Sequence, residues 1–100
     1  MDGISVPDEL LEVRITIQGR VQGVGYRWFA LESARRLGVT GWATNDTDGS
    51  VIVEARGRAE SIDAFVAALR DGPPHARVTE IRTSPRSSTD PMPNNFTILR

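Results

Sequence analysis

The order of elements readable in the sequence, β-α-β-β-α-β plus a short fifth strand, predicts an α+β sandwich. Two helices would cover one face of a mainly antiparallel sheet. Two patterns carry that reading. Val13, Ile15 and Ile17 alternate with Arg14, Thr16 and Gln18, and Val51, Val53 and Ala55 alternate with Ile52, Glu54 and Arg56, as half-buried strands do. Ile62, Phe65, Val66 and Leu69 instead recur at i, i+3, i+4 and i+7, the spacing of an amphipathic helix. The arrangement is the ferredoxin-like split β-α-β sandwich, with its first and third strands side by side mid-sheet. That fold hosts many unrelated functions and settles no chemistry.

Taken in order, residues 1–10 read as a flexible acidic tail and residues 11–100 as a single domain. The first strand covers Glu12 to Gln18. The first helix follows from about Trp28 to Leu37, with Tyr26, Ala30, Ala34 and Leu37 on one side and Glu32, Arg35 and Arg36 on the other. Gly38 suits a left-handed helix end. Val39 to Asn45 reads as the second strand, Asp46-Thr47-Asp48-Gly49 as a tight turn, and Ser50 to Arg56 as the third strand of a hairpin. The second helix stops at Gly72-Pro73-Pro74, but its start lacks a clear cap, since Arg58 and Ala59 are poor caps and Ser61 lies late. Arg77 to Thr83 is a fourth strand, Ser84 to Asn95 a loop rich in Ser, Pro, Asp and Asn, and Phe96 to Leu99 the final strand.

Composition narrows the function classes. One hundred residues, 39% hydrophobic, suit one packed core. A net charge of −1 creates no field that recruits nucleic acid or an anionic membrane. No apolar run nears the roughly 18 residues of a membrane span, and the N-terminus lacks the regions of a secretion signal. Cysteine is absent, which excludes disulfides, a thiolate nucleophile and Cys-based metal sites. The expectation is a cytoplasmic monomer with no metal, cofactor, nucleic-acid or membrane partner. All twelve basic residues are arginine, so an arginine alone says little. Arg35, Arg36, Arg56, Arg58, Arg70, Arg77, Arg82 and Arg86 read as a solvated basic surface. His75 reads as an exposed turn residue, and Asp46, Asp48 and Glu54 as turn and surface carboxylates.

The stretch with chemistry in it is Gly19-Arg20-Val21-Gln22-Gly23-Val24-Gly25-Tyr26-Arg27, between the first strand and the first helix. Three glycines let the backbone curl tightly and turn N–H groups toward one point. The helix start adds unpaired N–H groups and the positive end of its dipole, a combination that attracts phosphate. Arg27 can add a planar fork for two phosphate oxygens. A tight β-to-α connection without a ligand fits the same glycines, and the residues alone leave both readings open. A Walker A loop is excluded by the missing lysine, and a dinucleotide G-x-G-x-x-G by Trp28 at its last position. The third strand carries no aromatic on which RNA bases could stack.

The complete nonapeptide resembles the acylphosphatase signature G-x-V-Q-G-V-x-[FY]-R, matched here by Gly19, Val21, Gln22, Gly23, Val24, Tyr26 and Arg27. Gly41-Trp42-Ala43-Thr44-Asn45, with Gly49, Val51 and Gly57, resembles the second stretch of that family, which contains an essential asparagine. The resemblance runs from about Val13 to Ile98. It implies that backbone N–H groups of Val21, Gln22, Gly23, Val24 and Gly25, with Arg27, hold the phosphate of a small acyl phosphate. It further implies that Asn45 positions the attacking water, and that carboxylate and inorganic phosphate are the products, without a metal. Taken alone, Asn45 would be a plain turn asparagine. Thr44 stands where the family usually carries a longer, often basic side chain, and Gly25 where a bulkier one is common. The first is expected to alter the rim of the site, and the second to loosen the loop.

Overall fold

Residues 9–99 are described by a computed structural model, in the order β1 (Leu10–Arg20), α1 (Tyr26–Leu37), β2 (Thr40–Asn45), β3 (Val51–Arg58), α2 (Ala59–Asp71), β4 (Arg77–Pro85) and β5 (Phe96–Ile98). The expected tail falls outside the described residues except for Glu9 and Leu10, and Leu10 already opens β1. The sheet runs β4-β1-β3-β2-β5. Every neighbouring pair is antiparallel except β2 with β5, which is parallel. The first and third strands are therefore central, as the ferredoxin-like reading requires.

The period-2 pattern sets the faces. Ile15, Ile17, Ala43, Val51, Val53 and Ala55 lie under the helices, where Tyr26, Ala30, Ala34, Ile62, Phe65 and Leu69 complete the core. Phe65 of α2 meets Phe96 of β5 edge-on, with ring centroids 5.8 Å apart. The phenol of Tyr26 donates to the Leu69 carbonyl at 2.5 Å, which ties the start of α1 to the end of α2. Burial pushes that phenol's pKa well above its usual value, so it remains a neutral donor.

Element ends differ from the sequence reading for local reasons. β1 is longer at both ends because strands flank it on two sides. β2 begins at Thr40 because the Val39 N–H is taken by the Ala34 carbonyl in the left-handed ending at Gly38 (φ 73°). α2 starts at Ala59 with Arg58 as an extended N-cap that gives no side-chain cap, which explains why no signal marked it. β5 ends at Ile98, although the Leu99 N–H still bonds the Ala43 carbonyl at 2.8 Å.

Two surface assignments are overturned on the helix-free face. Glu54 is only 3% exposed, and the Arg86 side chain is likewise 3% exposed. The chain leaving β4 keeps its register alongside β1 for one more residue, and the Arg86 N–H bonds the Glu12 carbonyl. Its guanidinium then donates to Glu54 at 2.6 Å, Glu12 at 3.0 Å and the Asp90 carbonyl at 2.7 Å. Arg14 holds the other Glu54 oxygen at 2.9 Å. These charges are buried because each is paired and hydrogen-bonded.

Candidate active site

The loop at the end of β1 is built by backbone conformation. Gly19 (φ 127°) sits at an irregularity in the β1–β4 ladder, and a Cβ there would lie 2.0 Å from the Arg77 carbonyl oxygen. Gly23 (φ 74°) and Gly25 (φ 77°) take the left-handed turn that glycine adopts without strain. Gly25 is also the N-cap of α1 and offers no side-chain cap, and the helix has no acidic residue in its first turn. This is the physical use of the small residue at that position: it admits the helix start and leaves its N–H groups open. Among the described residues, no protein group accepts a hydrogen bond from the backbone N–H of Gln22, Gly23, Val24 or Gly25. The local structure is thus a row of unfilled donors at the positive end of a helix.

Asn45 arrives from elsewhere in the chain. It is the last residue of β2, paired with Val51, on the same face as Ala43 and Val53. Among the described residues its side-chain amide has no hydrogen-bond partner and is exposed. Val21, Gly23, Gly25, Tyr26, Arg27, Trp28, Asn45 and Ile98 line one open cleft of about 260 Å³. The structure therefore brings Arg27 and Asn45 together at the glycine loop. The Gln22 and Val24 side chains stand outside this lining. Val24 packs half-buried against the core, and the Gln22 amide donates to the carbonyls of Asp46 at 2.8 Å and Ser50 at 2.9 Å. Gln22 thereby clamps the loop to the turn that follows Asn45.

Arg27 is also held. One Nη donates to the Leu99 carbonyl at 3.2 Å, and Leu99 is itself bonded to β2 through Ala43. The rest of the guanidinium fork has no protein partner among the described residues and remains available to an anion. Asp46 and Asp48 shape the turn after Asn45: Asp48 accepts from both the N–H and the hydroxyl of Ser50, at 2.9 and 2.6 Å. Those hydrogen bonds, the hydroxyl's first, hold the Asp48 carboxyl below its usual pKa.

The rim differs from its sequence expectation. Thr44 is half-buried opposite Ile52 on the helix-free face, so strand alternation turns it away from the cleft. Trp28, Ile98 and the Leu99 carbonyl take part instead, and none of them was singled out from sequence. For Ile98 the sequence carries one signal, its spacing of two from Phe96, which puts both on one face of β5. Among the described residues, no cluster of three or more His, Cys, Asp or Glu side chains could hold a metal ion. No helix there is long and apolar enough to cross a membrane.

Comparison with known proteins gives this geometry a family. The acylphosphatase family model matches residues 13–98. An acylphosphatase of Methylococcus capsulatus is 46% identical over 88 residues, which cover 88% of this chain and 95% of that protein. One from Rhizobium etli is 44% identical over 86 residues, 86% of this chain and 90% of the relative. The crystal structure of acylphosphatase from Bacillus subtilis superposes with a TM-score of 0.83 at 35% identity, over 92% of this chain and 100% of that one. Likeness in sequence and fold across nearly the full length of these relatives shows that the chain belongs to the acylphosphatase family of hydrolases.

Proposed function

We propose that this chain hydrolyses small acyl phosphates to a carboxylate and inorganic phosphate at the cleft between the glycine loop and Asn45. The observation that carries the reading is the convergence of Arg27 and Asn45, from different elements, on one cleft floored by the loop. Backbone N–H groups of Val21 to Gly25 and the free part of the Arg27 fork hold the phosphate oxygens. A water held by the Asn45 amide attacks phosphorus in line with the scissile bond. The new P–O bond forms as the bond to the acyl oxygen breaks, and the carboxylate leaves with the electron pair. Phosphoryl transfer of this kind asks mainly for positioning and charge compensation, which backbone donors and one arginine supply.

The protons follow from the side chains. Asn45 cannot accept one at neutral pH, so the water's proton passes to a phosphate oxygen. The carboxylate is a good leaving group and needs no general acid. Charge on the phosphate is met by N–H groups and a guanidinium, so the scheme uses no metal or cofactor. We read the protein as a cytoplasmic, monomeric single domain without nucleic-acid or membrane partners; its net charge of −1 supports the last part, since it gives no field that would recruit a polyanion.

Benzoyl phosphate hydrolysis beside phosphate binding tests this reading. Asn45→Ala should bind phosphate and lose turnover by roughly 10²–10³, the scale of one transition-state hydrogen-bonding group. Arg27→Ala should lose both, and Arg27→Lys should remain poor because the fork is gone. Full activity in Asn45→Ala would exclude its role, as inactivation by EDTA would exclude a metal-free reaction. Phosphate binding by a wild-type chain that hydrolyses nothing would mark a binding module.

A further inference from the structure

Trp28 is the most exposed large apolar side chain among the described residues, at 58%. It follows Arg27 in the first turn of α1, a helix whose buried side is Tyr26, Ala30, Leu31, Ser33 and Ala34. Trp28 is therefore spare to the core, yet it lines the same cleft as Arg27 and Asn45. A single exposed apolar residue needs no explanation. This one has company, because Ile98 of β5 lines the cleft as well, and Leu99, exposed beside it, is bound through its carbonyl to Arg27. The cleft thus joins a row of anion donors to an apolar rim.

An acyl phosphate has the same two-part character. Its phosphate belongs with the loop N–H groups and the Arg27 fork, and in-line attack from Asn45 requires the carboxylate to depart on the side of phosphorus away from the water. The acyl substituent then lies outside the donor row, where Trp28 and Ile98 are the apolar lining open to solvent. We propose that Trp28, backed by Ile98, is an acyl-group subsite that selects bulky apolar acyl phosphates, aromatic ones above all, over acetyl phosphate. The inference rests on the hydrolytic reading of this cleft. An aromatic acyl group covers the indole by offset or edge contact, whereas an acetyl group brings one methyl to it. Strongly polar acyl groups bury nothing against the rim and gain no preference.

Competing hydrolysis of benzoyl and acetyl phosphate tests the subsite, read as the ratio of the two kcat/KM values so that intrinsic reactivity cancels between variants. Trp28→Ala should lower the benzoyl-to-acetyl ratio about ten-fold, the scale of discrimination by a small apolar pocket. The change should lie chiefly in KM for benzoyl phosphate. Trp28→Phe should retain most of the ratio. Arg27→Ala should depress both substrates together, because it loosens the phosphate they share. A ratio unmoved in Trp28→Ala overturns the subsite while leaving hydrolysis standing. Failure of the wild type to turn over either substrate overturns both.

Discussion

The Gln22 side-chain amide donates to the Ser50 carbonyl at 2.9 Å, joining the glycine loop to the far side of the β2–β3 turn. Its second bond, to the Asp46 carbonyl at 2.8 Å, fixes the residue next to Asn45. One amide thus sets the separation between the phosphate donors and the group assigned to the water. Gln22→Ala should lower kcat about ten-fold, the kinetic equivalent of one hydrogen bond of about 1.4 kcal/mol. Phosphate affinity should fall less. Gln22→Glu should be no better, since a carboxylate has no donor for two carbonyls. Steady-state kinetics beside calorimetric phosphate binding check this, and an unchanged kcat would refute the clamp.

The motif glycines should separate into two kinds. A Cβ on Gly19 would sit 2.0 Å from the Arg77 oxygen, and one on Gly41 would sit 1.9 Å from the Glu54 oxygen, both backbone atoms that cannot swing aside. Gly19→Ala and Gly41→Ala should therefore break strand pairing and yield little folded protein. Gly23 has open space around its Cβ position, so Gly23→Ala meets only the strain of its φ of 74°, about 1–3 kcal/mol. That variant should fold with a lowered Tm and bind phosphate weakly, because the loop relaxes its N–H groups away from one point. Circular dichroism melts and phosphate titration distinguish the two kinds.

Much of this was legible in the sequence for a physical reason. Alternation at Val13, Ile15 and Ile17 and the spacing of Ile62, Phe65 and Leu69 report burial directly: the last five form the core, and Val13 packs against it. Gly38 marked the C-terminal end of α1 because glycine takes the left-handed backbone that closes the helix there. Arg86 and Glu54 were illegible, since a charged residue reads as solvated unless its partners are known. Those partners come from two separate parts of the chain, Glu12 and Arg14 from β1 and Asp90 from the segment after β4. Trp28 is illegible likewise: in a helical pattern it is simply off the apolar stripe, and only the fold sets it beside a cleft.

Asp48 gives the hairpin turn a pH dependence with a definite sign. Hydrogen bonds from Ser50 hold its carboxyl below the unfolded value, so its contribution is complete above the usual carboxylate pKa of about 4. The contribution disappears as pH falls through the lower folded value. The Tm difference between wild type and Asp48→Ala should therefore be steady from neutral pH to about pH 5 and should close below about pH 4. Thermal melts across that range test it, and a gap that widens in acid would contradict the assignment.

The Arg86–Glu54 pair lies on the opposite face of the sheet from the cleft, so its loss should act on stability rather than chemistry. Arg86→Met leaves Glu54 nearly buried with only the half-exposed Arg14 as partner. An under-compensated buried carboxylate costs more than a buried apolar or neutral polar group in its place. Arg86→Met should lower the Tm by on the order of 5–10 °C for a chain this small. The double variant Arg86→Met with Glu54→Gln should recover part of that loss, because the stranded charge is gone and Arg14 can turn to solvent. Well below the melting transition, both should hydrolyse benzoyl phosphate with kcat within about two-fold of wild type, since no bond of this cluster reaches the loop, Arg27 or Asn45. If the double variant melts below the single one, the pair contributes net attraction beyond its desolvation cost, and the charge cluster stabilises the helix-free face outright.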